Sequence, residues 1–128
     1  MKYYLAKTIN VPFNEAIQKV TEELKKEGFG ILTEINVQAT LKEKLDVDFR
    51  KYQILGACNP PFAHKALSAE DKIGLMLPCN VIVQEISDNE VEVAAVNPIA
   101  SMQAIDNKEL ESIATEVQNK LKLVIEAL

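Results

Sequence analysis

Asn80-Val81-Ile82-Val83-Gln84-Glu85-Ile86-Ser87-Asp88-Asn89-Glu90-Val91-Glu92-Val93-Ala94-Ala95 is the stretch on which the fold turns. Two apolar runs flank a short polar cluster. Val91, Val93 and Ala95 alternate with Glu92 and Ala94, the two-residue period of a half-buried strand. Ser87 to Glu90 has the composition of a hairpin turn, although the favoured glycine is missing. The pair therefore reads as two antiparallel strands, the second closed by Asn97-Pro98. Upstream, Pro78 leads in and Cys79 opens the first strand. Ile73 to Met76 is also strand-like, and one bent strand over both segments is expected.

Outward from this hairpin, Tyr52 to Cys58 is a strand apolar on both faces near its end, which suits an interior place in a sheet. Pro60-Pro61 stops it. Phe29 to Val37 is a further strand, with Ile31, Thr33, Ile35 and Val37 on one face, and Tyr3 to Ile9 is a first one. Phe13, Ala16, Ile17, Val20 and Leu24 recur at helical spacing, which predicts a helix over 12–27 with Gly28 as the residue that ends it. Shorter helices are expected over 38–45, where Leu41 and Leu45 are four apart, and over 61–67. Asp106, with Glu109 three residues on, reads as the capping box of a long last helix. Its stripe of Leu110, Ile113, Val117, Leu121, Val124 and Leu128 is too short for a coiled-coil seam and is expected to pack on a core. Together these predict one α+β domain over residues 1–128, a two-layer sandwich with a mostly antiparallel sheet and helices packed on one face.

Composition excludes several functions. The chain has 128 residues, 48% hydrophobic and 26% charged, and a net charge of −5. Nucleic-acid affinity comes largely from clustered Lys and Arg, so an acidic chain without Trp is not expected to bind it. No long apolar run suggests a membrane span or a signal segment. A cytoplasmic location follows as the expectation, and there the two cysteines are free thiols rather than a disulfide.

Those cysteines carry what chemistry the sequence offers. Cys58 ends one strand and Cys79 begins another, and His64, the single histidine, follows Cys58 by six residues. If the two strands are antiparallel neighbours, both thiols lie at one edge of the sheet; if parallel, they stand roughly 20 Å apart. In the first case Cys58, Cys79 and His64 are candidate ligands for a soft metal or haem. Cys58 near the start of a helix is alternatively a redox or nucleophilic thiol, activated by the helix dipole. Burial of both cysteines as small hydrophobes is the third reading. Met102, after Asn97-Pro98, is either a soft contact to a ligand or core filler. Gly28-Phe29-Gly30 follows a helix and precedes a strand, the reverse of a phosphate-binding loop. Glu43, Asp46 and Asp48 read as a solvated turn, and Glu85, Glu90 and Glu92 as outward-facing strand residues.

Leu55-Gly56-Ala57-Cys58-Asn59-Pro60, Gly74-Leu75-Met76-Leu77-Pro78-Cys79-Asn80-Val81 and Asn97-Pro98 with Met102 resemble the signature of domain-of-unknown-function family 302. Glu27-Gly28-Phe29-Gly30-Ile31-Leu32-Thr33-Glu34-Ile35 fits it as well, so the resemblance covers nearly the whole chain. It implies a small two-layer α/β domain without a settled activity, and it nominates Cys58, Asn59, Pro60, Cys79 and Met102 as motif positions. Asn97 departs from it, since the family commonly has Asp before that proline. The expected function is a small-ligand or metal/cofactor-binding module with Cys58, Asn59, Cys79 and Met102 around one site. A thiol-dependent redox or sulfur-metabolism enzyme using Cys58 is the alternative, and a structural or interaction domain the further one. The open edges of so small a sheet predict a homodimer.

Overall fold

The computed structural model describes all of residues 1–128. Five strands, β1 (Tyr4–Ile9), β2 (Gly30–Asn36), β3 (Tyr52–Cys58), β4 (Cys79–Ser87) and β5 (Glu90–Val96), form one sheet in the order β1-β5-β4-β3-β2. Every neighbouring pair is antiparallel. The helices are α1 (Phe13–Lys26), α2 (Val37–Leu45), α3 (Pro60–Ala69), α4 (Pro98–Ser101) and α5 (Lys108–Glu126). This is an α+β fold with a helical layer, α1 and α5, against one face of the sheet.

Period-two alternation assigns the faces. Leu55 and Ala57 of β3, Val81 and Val83 of β4, and Val91, Val93 and Ala95 of β5 are buried under the helices. They meet Ala16, Val20 and Leu24 of α1 and Val117, Leu121 and Val124 of α5 in the main core. Each fully buried aliphatic side chain contributes about 1.5–3 kcal/mol relative to exposure, so this stripe-on-sheet contact holds the two layers together. A smaller cluster, Ala66, Ile73, Met102, Leu110 and Ala114, joins α3 and the segments before β4 and α5 to the first half of α5. The seam between the two clusters is where the cavity described below opens.

Local chemistry explains most boundaries. α1 ends at Gly28, whose φ of +87° is costly for any residue with a Cβ. The β4–β5 turn manages without glycine because Asn89 takes the left-handed conformation, φ +56°, which Asn tolerates better than most residues.

Three expectations are corrected. Residues 71–76 form a 3-10 helix rather than an extension of β4, and β4 starts at Cys79. Ile73 there is fully buried in the smaller cluster. The last helix is capped by Asn107 and not by Asp106: Asn107 Oδ1 accepts from the Glu109 amide at 3.0 Å. Its Nδ2 also donates to the Ala69 carbonyl at 2.9 Å. A carboxylate has no hydrogen to give, so only the amide ties α5 to the end of α3. Finally, β2 does not keep one uninterrupted face, because the register shifts between Ile31 and Thr33, and Val37 already belongs to α2.

Candidate functional site

Ala57 of β3 stands opposite Cys79 of β4, so the end of one strand and the start of the next share one edge of the sheet. Cys58 and Cys79 both line a cavity of about 340 Å³ at that edge. Both are free thiols, Cys79 buried and Cys58 half-buried. Ala57, Phe29, Leu32 and Pro78 line it with the two cysteines. The roof is one face of α3, where Phe62, Ala63, Ala66 and Leu67 recur at three and four residues. Ile113 and Val117 of α5 and the Met102 side chain complete the wall. The space exists because Ala57, Ala63, Ala66 and Gly74 stand where larger side chains would fill the seam.

The helical period that brings Ala63 and Ala66 inward turns His64 away. At 100° per residue it lies on the opposite side of α3. It borders a separate polar depression with Lys65, Ser68, Glu109 and Glu116. The expected metal set of Cys58, Cys79 and His64 is therefore not assembled, and no three His, Cys, Asp or Glu side chains converge anywhere in the chain. Three sulfur-bearing side chains of differing chemistry, Cys58, Cys79 and Met102, instead line one apolar cavity.

Asn59 also borders the cavity, at the N-cap position of α3, but its side chain does not cap the helix. Its Nδ2 donates to the Glu27 carbonyl at 3.1 Å, tying α3 to the turn after α1. Gly28 lies so close that a Cβ there would sit 3.0 Å from the same nitrogen. Asn97, where the family resemblance expects Asp, sits outside the cavity and is similarly occupied. Its Nδ2 donates to the Lys2 carbonyl at 3.1 Å and its Oδ1 accepts from the Ile99 amide at 3.1 Å. The amide thus pins β1 and caps α4 at once.

The thiols are electrostatically unlike. Burial pushes the Cys79 thiol up from 9.0 to about 11, and the neighbouring Cys58 adds to the shift. In neutral solution Cys79 is a protonated, weakly polar wall rather than a thiolate ligand. The sign of the linked stability change follows. Between about pH 9 and 11 the unfolded chain releases this proton and the folded chain keeps it, so stability falls as pH rises through that window. The expected loss is on the order of 2 kcal/mol. Urea unfolding at pH 8.5 and 11 measures it, and Cys79→Ser should remove that part of the dependence.

A two-layer α+β domain with a sulfur-lined cavity at one sheet edge is the class that fold and site define. Within it, the chain belongs to the family described as Domain of unknown function DUF302, whose model matches residues 5–128. A crystal structure of an uncharacterized conserved DUF302 protein from Bacillus stearothermophilus is similar, with a TM-score of 0.90 and 27% identity. The match covers 98% of each chain. No curated protein matches this chain. No helix is long and apolar enough to cross a membrane.

Cys58, Asn59, Cys79 and Met102, the residues expected around one site, all border the cavity. The contribution of α5 carries no signal in the sequence that separates it from ordinary core, and neither does the inward face of α3. The spacing of Phe62, Ala63, Ala66 and Leu67 was visible, but small residues on a helix face read the same whether they meet a close neighbour or a void.

Proposed function

We propose that the protein is a small-ligand-binding module whose site is the cavity bordered by Cys58, Asn59, Cys79 and Met102. The observation that carries this reading is the cavity itself. Ligand sites are concave, mostly apolar clefts with few polar groups, and this half-open cleft has that character. A space of about 340 Å³ kept open by four small residues lies in the range of ligand pockets. The reading places the protein in the cytoplasm, where both thiols stay reduced.

A thermal-shift panel of small molecules, soft metal ions and haem tests it on reduced protein. A ligand at this site is expected to raise the melting temperature and to slow alkylation of Cys58 by iodoacetamide. If nothing in the panel does both, binding at this site is refuted. Thiol chemistry is the second reading, favoured by the half-buried position of Cys58 at the cavity wall.

The proposal extends to a homodimer. The sheet face away from α1 and α5 carries an apolar row across all five strands, Ala6, Ala94, Ile82, Ile54 and Ile35, each opposite the next. α2 buries none of its residues, although isolated helices shorter than about 12–15 residues are marginal in water. Strand spacing and rise give the open face a footprint of roughly 20 by 20 Å. With the roughly 10 by 14 Å of α2 added, that is about two thirds of the roughly 800 Å² per partner of a standard interface, enough for a weak dimer. A second copy related by a two-fold axis covers both features. Light scattering at micromolar concentration should give twice 14.2 kDa, and Ile82→Lys should return the monomer. A monomeric wild-type mass contradicts the dimer.

A further inference from the structure

Resting on the ligand-binding reading above, we infer that the occupant of the cavity is an uncharged, predominantly apolar molecule of about ten non-hydrogen atoms, held by shape rather than by a gripped head group. Three observations lead there.

The first is the absence of any charge in the lining. No Lys, Arg, Asp, Glu or His side chain borders the cavity. A carboxylate or ammonium group inside would give up its hydration with no counter-charge in return, which is strongly unfavourable.

The second is that the polar groups close to the cavity are few and uncharged. Asn59 is the one amide side chain in the lining; its nitrogen donates to the Glu27 carbonyl, which leaves its uncharged Oδ1 as the one side-chain acceptor there. The N-terminus of α3 points a helix end toward this edge, a position that elsewhere serves anions through free backbone N–H groups. Here its first two residues are Pro60 and Pro61, which have no N–H to offer. The backbone of Ala57 is paired with both β2 and β4, and Cys58 is paired with Gly30 of β2. What is left facing inward is methyl, methylene, aromatic and sulfur surface. Thioethers and thiols are soft and polarizable, so Met102, Cys58 and Cys79 suit hydrocarbon or aromatic carbon.

The third is size. A cavity of about 340 Å³ holds roughly ten water-sized volumes, and a methylene or aromatic CH takes about the same space. Leu32 and Leu67, both lining residues, are 67% and 45% exposed and form an apolar rim past which such a molecule enters.

The test uses three probes of one chain length and different charge: octan-1-ol, octanoate and octylammonium. Binding to the reduced full chain at pH 7 is followed by calorimetry, with Cys58 alkylation as the site reporter. Octan-1-ol should bind once per chain and slow the alkylation, and each charged probe should bind at least tenfold more weakly. Ala63→Leu should weaken octan-1-ol binding at least tenfold. Equal or tighter binding of octanoate or octylammonium overturns the inference, as does octan-1-ol binding that Ala63→Leu does not weaken. If no octyl probe binds but Cu(I) or Zn(II) does, with the metal lost in Cys58→Ser, the inference fails while the ligand-binding reading stands. If neither probes nor metals bind, both fall.

Discussion

Gly56→Val is expected to lower stability by about 3 kcal/mol or more, the upper end of what overpacking costs, and the melting temperature by roughly 10 °C. A Cβ built on Gly56 would overlap Thr33 Oγ1 and lie 2.8 Å from Pro78 Cγ. Thr33 sits opposite Gly56 on the edge strand, so relief requires either the β2–β3 pairing or the Pro78 segment to shift. Pro78 is also a wall of the cavity, so whatever shift is made alters the site. Gly56 is needed here for close approach and not for an unusual backbone angle. Urea unfolding checks the loss. A Thr33→Ala change in the same chain should recover part of it, because the two side chains compete for one space and their effects are coupled. A Gly56→Val protein as stable as the parent would mean that the strands pack less tightly than described.

Ala63→Leu is expected to act in the opposite direction on stability and to have a larger effect on binding. The new side chain adds three carbons on the inward face of α3, filling roughly a quarter of the cavity. Leucine suits a helix almost as well as alanine, and filling a void commonly adds about 0.5–2 kcal/mol. Any ligand seated under α3 should lose at least tenfold in affinity. That combination, a more stable protein that binds more weakly, separates a site kept open for use from a packing flaw. Thermal unfolding and titration of the same variant measure both. Lower stability in Ala63→Leu would show that the space beneath it is already filled.

The candidate site was legible in part, for a stated reason. Cys58 and Cys79 could be placed at strand ends because proline punctuates both segments, whereas the antiparallel order that brings them to one edge was one of two possibilities in sequence. Met102 and Asn59 were visible as motif positions, but their roles were not. The donation of Asn59 to the Glu27 carbonyl depends on where the turn after α1 lies. His64 was drawn in because imidazole near a thiol suggests metal chemistry. Its position one residue past Ala63 already placed it about 100° round the helix, but which face of α3 turns inward was not in the sequence.

What the amino-acid order determined by itself is local and periodic. The alternation of Val91, Val93 and Ala95 specified a one-sided strand, the stripes of α1 and α5 specified helices with one buried face, and Gly28 fixed where α1 stops. These follow from side-chain periodicity and backbone sterics, which act over a few neighbours. Tertiary structure alone decided the rest. Residues 71–76 resemble a strand, yet they coil because Ile73 is buried against α3 and α5. Asn107 displaces Asp106 as a cap because the Ala69 carbonyl lies within reach of an amide hydrogen. The cavity arises because α3 and α5 meet the sheet edge with alanines between them, and an empty volume is set by the distance between elements far apart in sequence.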